Sequence, residues 1–322
     1  MPAASANPAP YVNPELRPIL APIEKVFGEP LTQEGVVAGR KSTASFPIKA
    51  APVWAERTIP GAAGAPDVRV YVINAGARNV GKPAILYLHG GGYVLGNAKQ
   101  GIGDNQALAA DLDCVIVSVD YRLAPETPFP GPLEDNYAAL QWLYKNAGEL
   151  GVDRARIAVM GGSAGGGHAA MLAIAARDRG EIPLIYQALI YPMLDDRTGS
   201  TRKTSPYVGS VIWNEQKNRF GWSALLGVPA GSPTVPYGSV PARVENLKGL
   251  PPTYIGVGSI DLFEEEDIEY ARRLINAGVP VRLNVVAGAF HGFDMIAANT
   301  SVAKAFRSDL ITALREALKP TA

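Results

Sequence analysis

The sequence is poor in cysteine and histidine. Its 322 residues include one cysteine, Cys114, and three histidines. A single cysteine excludes an intrachain disulfide and a metal site built from several thiolates. Cys114 begins the apolar run at residues 114–117, which predicts a thiol buried in a strand. Because histidine is the usual general base near neutral pH, three histidines leave few candidates for that role.

Long apolar stretches and an excess of charge of either sign are also missing. The sequence has no run of about 18 apolar residues, the length that a transmembrane helix needs. Residues 1–10 are small and proline-rich, without the basic start and apolar core of a signal peptide. Thirty Lys and Arg residues balance thirty Asp and Glu residues, whereas nucleic acids and anionic membranes attract a basic face. These absences predict a soluble cytoplasmic protein without a nucleic-acid or membrane partner.

The hydrophobic pattern predicts an α/β fold. Residues 53–59 and 68–73 alternate apolar and polar side chains, as half-buried antiparallel strands do. Short apolar runs then alternate with helical patterns, which is typical of a mostly parallel sheet covered by helices on both faces. The runs lie at 84–88, 115–119, 157–160, 184–190, 253–257 and 281–286, and the helical patterns at 14–26, 106–111, 134–145, 164–177, 264–277 and 302–318.

One segment, residues 195–248, interrupts this alternation. It is too long for an ordinary connection and carries Trp213, Phe220 and Trp222. We interpret it as a cap insertion, joined by residues 1–45, within a catalytic domain formed by 46–194 and 249–322. The three aromatic side chains belong either to the core of the cap or to the wall of a substrate pocket.

Residues 161–165, Gly-Gly-Ser-Ala-Gly, form the first candidate for chemistry. They follow an apolar strand directly and open an Ala-rich helix, which is the context of a nucleophile elbow. Gly161 and Gly165 would allow close chain approach around Ser163, and the helix N-terminus would favour a negative oxygen there. A Gly-rich packing turn is the alternative. We expect Ser163 to be a nucleophile.

Residues 89–92, His-Gly-Gly-Gly, follow another apolar run. Three glycines leave backbone N–H groups unshielded, so they can bind a developing oxyanion. A phosphate-binding loop is the alternative, but it normally needs a following Lys-Ser/Thr pair or a helix at the glycines. Tyr93 and Val94 follow instead.

The base and its acid are expected after late strands. His291 follows the last apolar run, whereas His168 lies in the elbow helix and is expected in the core. Asp261 follows the preceding strand, and the acidic residues 264–267 fit the solvated first turn of a helix. The resulting order, Ser163, Asp261, His291, is that of α/β-hydrolases.

These motifs resemble those of the hormone-sensitive-lipase family of α/β-hydrolases. The resemblance covers roughly residues 80–318 and includes His-Gly-Gly-Gly at 89–92, Asp-Tyr-Arg-Leu-Ala-Pro-Glu at 120–126 and His-Gly-Phe at 291–293. It implies an eight-stranded α/β-hydrolase sheet with a helical cap, and an oxyanion hole formed by the N–H groups of Gly91, Gly92 and Ala164. Gly162 departs from the family, which usually has Asp there. Family members often dimerise, so a homodimer is one possible state.

The sequence therefore predicts a carboxylesterase that needs neither metal nor cofactor. The resemblance implies a small-molecule ester substrate with a short to medium acyl chain. An amidase, lactonase or peptidase would use the same triad, because the pocket sets the leaving group. A ligand-binding homologue, such as the plant gibberellin receptors, is less favoured because those receptors lack the catalytic histidine. Arg122 and Glu126 are expected to form a buried ion pair that shapes their loop.

Overall fold

A mostly parallel β-sheet forms the centre of the computed structural model, which describes residues 8–41, 47–76 and 81–320. In chain order its strands are β1 (Trp54–Ile59), β2 (Val68–Ile73), β3 (Lys82–Leu88), β4 (Val115–Asp120), β5 (Val152–Gly162), β6 (Tyr186–Ile190), β7 (Thr253–Gly258) and β8 (Val281–Val286). The eight strands lie side by side as β1-β2-β4-β3-β5-β6-β7-β8. β2 is antiparallel to β1 and β4, and all other neighbours are parallel. The predicted fold class is confirmed.

Helices connect the strands and cover the sheet. They are α1 (Leu20–Phe27), α2 (Gln33–Gly39), α3 (Ile102–Leu112), α4 (Gly131–Lys145), α5 (Ala147–Leu150), α6 (Ala164–Arg179), α7 (Glu215–Leu226), α8 (Glu264–Asn276), α9 (Phe293–Ile296) and α10 (Ser301–Ala317). The helix predicted at 14–26 is divided into a 3₁₀ turn, Pro14–Ile19, and α1. Pro18 contributes to this division because it has no N–H for a helical hydrogen bond.

Two hydrophobic clusters lie on opposite faces of the sheet. In β3, Leu86 points into the cluster that contains residues of α4 and α6, whereas Ile85 points into the cluster of α3 and α10. This alternation follows from the two-residue period of a strand. The buried central strands therefore read as continuous apolar runs, and their carboxyl ends meet at one edge of the sheet.

The apolar run at residues 281–286 predicts a strand covered on both faces, but the edge strand β8 is partly exposed. Leu283 and Val285 are exposed, because β8 has a neighbour on one side only and its outer face is incompletely covered. No helix within 8–41, 47–76 or 81–320 has the length and apolar character required to cross a membrane. The sulfur-bearing side chain of Cys114 is fully buried immediately before β4, and burial raises the pKa of its thiol to about 12.

The segment expected to form a cap contains α7 and a 3₁₀ turn, Pro241–Arg243. The amide side chain of Gln216 in α7 accepts from the backbone N–H of Leu31 and donates to its carbonyl. The N-terminal residues and the 195–248 segment thus contact each other directly. Residues 1–7 and 42–45, also assigned to the cap from the sequence, lie outside the described residues.

Candidate active site

Ser163 lies in the turn between β5 and α6. Its φ is +57° and its ψ is −125°, an unfavourable conformation for a residue with a side chain. The turn is possible because its neighbours lack Cβ atoms. A Cβ on Gly161 would lie 2.2 Å from the carbonyl oxygen of Gly165, and one on Gly165 would lie 2.1 Å from that of Leu88.

Two hydrogen bonds bring Ser163, His291 and Asp261 together. Nε2 of His291 lies 2.9 Å from Oγ of Ser163, and Nδ1 lies 2.8 Å from Oδ2 of Asp261. Asp261 follows β7 and His291 follows β8, so the sheet places both side chains near the end of β5. All three residues are buried. The carboxylate accepts from Nδ1–H, which leaves Nε2 able to accept the serine proton.

Aromatic rings surround the His291 imidazole. The edge-on rings of Tyr191 and Phe263 have centroids 4.8 and 5.2 Å from it, and Trp213 lies 6.4 Å away. The Tyr191 hydroxyl donates to the buried carboxyl group of Asp294 at 2.8 Å. These contacts fix the ring plane of His291.

No motif in the sequence predicted a site role for Tyr191, Phe263 or Asp294. The position of Tyr191 directly after β6 was an available signal, because the carboxyl ends of parallel strands share one edge. Asp294, three residues after His291, carried a weaker signal.

The glycine loop packs directly against the elbow. A Cβ on Gly90 would lie 3.0 Å from the carbonyl oxygen of Gly162 and 3.5 Å from Cβ of Ser163. Gly91 and Gly92 both have positive φ, +129° and +59°. In the part of the chain that the structure describes, no backbone–backbone hydrogen bond uses the N–H of Gly91, Gly92 or Ala164. The loop therefore brings backbone donors without a backbone acceptor close to Ser163.

The three aromatic residues proposed from the sequence lie in different environments. Trp213 is buried and covers Gly92, where a Cβ would lie 2.1 Å from its Cη2. Trp222 is fully buried against the Tyr93 ring, with centroids 4.9 Å apart, and belongs to the core. Phe220 lines a groove of ≈ 490 Å³. Of the three, Trp213 has a ring contact with His291.

The other two histidines are buried. The His89 ring stacks on Tyr121, with centroids 4.2 Å apart, and its Nδ1 contacts the carbonyl of Gly90 at 2.8 Å. His168 lies edge-on to Tyr121, and burial lowers its pKa to about 3. Burial also lowers the pKa of His89. His168 is therefore a neutral core residue at neutral pH, as expected.

Two expectations about charged residues were wrong. Glu266 and Asp267 are buried, not solvated, because this side of α8 faces the protein interior. Glu266 accepts from the backbone N–H groups of Leu194 and Asp195 at 2.7 and 3.1 Å. Burial raises the pKa of both carboxyl groups well above the usual range.

Arg122 and Glu126 do not pair with each other. Arg122 binds Asp135 of α4 with Nη2–Oδ1 and Nε–Oδ2 distances of 2.7 and 2.8 Å. Glu126 is exposed and binds Arg40 at 2.9 Å. Asp135 lies in the first turns of α4, and the fold brings it next to Arg122. Glu126 is closer to Arg122 along the chain but lies farther from it in space.

Comparisons with known proteins show which family the chain belongs to. A family profile described as α/β hydrolase fold matches residues 85–295. Esterase LipI of Mycobacterium tuberculosis is 35% identical over 252 residues, which are 73% of each chain. Carboxylesterase NlhH of the same organism is 34% identical, over 82% of each chain. The solved structure of a bacterial heroin esterase is 34% identical and superposes with a TM-score of 0.81, covering 98% of this chain and 100% of the other.

The chain belongs to the α/β-hydrolase family, among the esterases that resemble hormone-sensitive lipase. It is a carboxylic-ester hydrolase.

Proposed function

We propose that ester hydrolysis proceeds through an acyl-enzyme on Ser163. The hydrogen bond between Oγ of Ser163 and Nε2 of His291, 2.9 Å long, carries this proposal. His291 takes the hydroxyl proton as Oγ forms a bond to the ester carbonyl carbon. Asp261 holds the imidazole in the required tautomer and stabilises the imidazolium.

The tetrahedral intermediate then collapses. Its negative oxygen is stabilised by the N–H groups of Gly91, Gly92 and Ala164, which are backbone donors beside the elbow. The carbon–oxygen bond to the alcohol breaks, and His291 gives its proton to the leaving alkoxide. Water repeats the sequence with His291 as base, which releases the carboxylic acid and regenerates Ser163.

The substrate class that we propose is a small-molecule ester with a short to medium acyl chain. The 195–248 segment and the N-terminal residues act as a cap over the carboxyl ends of the strands. Trp213, buried against Gly92 and near His291, limits the room beside the nucleophile. The resemblance to the hormone-sensitive-lipase family implies a preference for acyl chains of about two to eight carbons. Within that range each added methylene should help while it is buried, and should hinder once the cavity is full.

Two arms of one experiment test the proposal. Ser163→Ala should lower the kcat for p-nitrophenyl butyrate by about 10⁶. With wild type, rates over p-nitrophenyl esters from acetyl to palmitoyl should rise and then fall, without a jump when the substrate forms an emulsion. Retention of more than about a tenth of the activity by Ser163→Ala would exclude the nucleophile. Best activity on long-chain emulsions would exclude the substrate class.

Comparable rates on anilides or lactones would favour the amidase or lactonase alternative. The cytoplasmic location stays a prediction.

A further inference from the structure

The turn before α7 has an unusual backbone. The N–H of Trp213 donates to the carbonyl of Val211 at 2.8 Å, and the residue between them, Ile212, has a φ of +66°. This is a γ-turn of the uncommon kind with positive φ, which is strained. A β-branched residue makes the strain larger, because its Cβ substituents crowd the backbone. Such strain persists only where surrounding contacts enforce it.

Lys217 supplies contacts that enforce this turn. Its side chain is 6% exposed, and its ammonium group donates to the carbonyl of Ile212 at 2.8 Å and to the carbonyl of Phe27. Phe27 is the last residue of α1, where a cation is favoured by the helix dipole. Burial lowers the pKa of the ammonium group, and the Glu24 carboxylate acts in the opposite sense. The buried lysine thus joins the end of α1 to the centre of the turn.

The turn determines where the next side chain lies. The Trp213 ring covers Gly92, and its Nε1–H donates to Oδ1 of Asn218 at 3.2 Å. One helical turn beyond Lys217, Gly221 lies so close to the glycine loop that a Cβ there would be 2.5 Å from the carbonyl oxygen of Gly92. The same face of α7 that carries Lys217 therefore packs on the glycine loop.

We propose that Lys217 is a positioning residue for ester hydrolysis. By tying the carbonyl of Phe27 to that of Ile212, it keeps Trp213 against Gly92 as the wall that limits substrate size. The N-terminal segment is thereby coupled to the oxyanion-binding glycines. This inference rests on the proposed function, since it concerns the cavity beside Ser163.

A pair of variants on adjacent residues tests the inference. Lys217→Met keeps the length of the side chain but removes both hydrogen bonds. Gln216→Met removes the hydrogen bonds between α7 and Leu31 of the N-terminal segment, without touching the turn. For each variant, kcat and KM are measured with p-nitrophenyl acetate, butyrate and octanoate.

With Lys217→Met, kcat/KM for the acetate should fall about tenfold through kcat, because Trp213 and Gly92 lose their alignment. The ratio of octanoate to acetate should rise by a similar factor, as it should in Trp213→Ala. Gln216→Met should keep the wild-type ratio. If Lys217→Met and Gln216→Met give the same ratio, Lys217 only anchors the N-terminal segment and the inference is wrong.

A rescue variant separates the turn from general stability. Glycine adopts positive φ without strain, so Ile212→Gly in the Lys217→Met background should restore most of the wild-type ratio. Failure of this rescue would contradict the role of the strained turn. If Lys217→Met unfolds, Lys217→Gln takes its place, because its shorter, uncharged side chain cannot donate to both carbonyl groups. Acrylamide quenching of the Trp213 fluorescence, taken as the difference between each protein and its Trp213→Phe variant, is compared between wild type and Lys217→Gln. Unchanged quenching together with unchanged selectivity would also overturn the inference.

Two further measurements accompany these variants. They are the activity of Ser163→Ala and the titration of the active-site serine with a p-nitrophenyl phosphotriester. If Ser163→Ala stays active, the proposed function fails. If wild type depends on Ser163 and binds one equivalent of phosphotriester while Lys217→Met keeps the wild-type selectivity, only the present inference fails.

Discussion

The carboxyl group of Asp261 binds the backbone N–H of Phe263 with the oxygen that His291 leaves free. Oδ1 accepts from Phe263 at 3.0 Å, and Oδ2 lies 2.8 Å from Nδ1 of His291. Both oxygens therefore serve as acceptors in a buried position. An amide can offer one oxygen only, since its other terminal atom is a donor.

Asp261→Asn should consequently lower kcat by about 10⁴. Its NH₂ group must face either Nδ1 of His291, which selects the wrong tautomer, or the N–H of Phe263. The measurement is kcat on p-nitrophenyl butyrate. Glu264→Gln and Glu265→Gln, at the start of α8, are the matched controls and should have near-wild-type rates. A large loss of kcat in either control, together with a small loss in Asp261→Asn, would mean that another acid orients His291.

The strained backbone at Ser163 predicts a difference between two inactive variants. Glycine adopts φ +57° without strain, whereas alanine, like serine, is strained there. Ser163→Gly should therefore exceed Ser163→Ala in free energy of unfolding by about 1 kcal/mol, measured with urea. The same two substitutions at Ser308, within α10, are the control. There the alanine variant should be the more stable one, because glycine disfavours helix. The same order at both positions would show that Ser163 is unstrained in solution.

Gly92→Ala tests the contact between the glycine loop and Trp213. Gly92 and Gly180 have similar φ, +59° and +67°, but a Cβ on Gly180 meets nothing within 4 Å. Both alanine variants should lose about 1 kcal/mol of stability from positive φ. Only Gly92→Ala should also lower kcat/KM, by about 10², because Trp213 and the oxyanion donors must move. Equal activity of the two variants would argue against an oxyanion role for this loop.

Tyr191 should separate ring packing from hydrogen bonding. Tyr191→Phe keeps the ring edge on His291 but removes the hydroxyl that donates to Asp294. It should reduce the free energy of unfolding by about 1–3 kcal/mol and leave kcat nearly unchanged. Tyr191→Ala should lower kcat about tenfold or more, because the imidazole is no longer held. An equal loss of kcat in both variants would assign the effect to the hydroxyl group.

His168 should make stability depend on pH. Its pKa is about 3 in the folded chain, against 6.5 for an ordinary histidine. Below pH 6.5 the unfolded chain binds a proton that the folded chain refuses, so the free energy of unfolding falls as pH decreases toward 3. The slope from one such group reaches at most about 1.4 kcal/mol per pH unit.

His168→Leu should reduce this slope without removing it, because burial also lowers the pKa of His89. Urea unfolding between pH 7 and pH 4 measures the difference. An unchanged slope in His168→Leu would mean that this histidine is protonated in the folded protein.

The residues that follow strands could be predicted from the sequence because the sheet itself places them. Ser163 and His291 each come after a buried apolar run, and parallel strands end at one edge. The packing around them could not be predicted in the same way. Tyr191 and Asp294 are separated by 103 residues along the chain, and Lys217 and Phe27 by 190. Such pairs depend on how helices and loops pack, which local patterns do not encode.

The predictions for charged residues were wrong for a related reason. Sequence proximity favoured Glu126 as the partner of Arg122, yet the bond goes to Asp135 across the start of α4. Similarly, an acidic first turn is normally solvated, whereas α8 turns Glu266 and Asp267 inward. The helices were predicted, but which of their faces meets the sheet was not.

The buried thiol of Cys114 provides a built-in reporter of folding. A protonated, inaccessible sulfur cannot react with an aromatic disulfide reagent, because the thiolate is the nucleophile. Since the sequence has no other cysteine, every labelled molecule has opened around β4. The labelling rate under native conditions therefore measures how often the centre of the sheet becomes exposed. Each variant discussed above can be compared by this rate without introducing a probe.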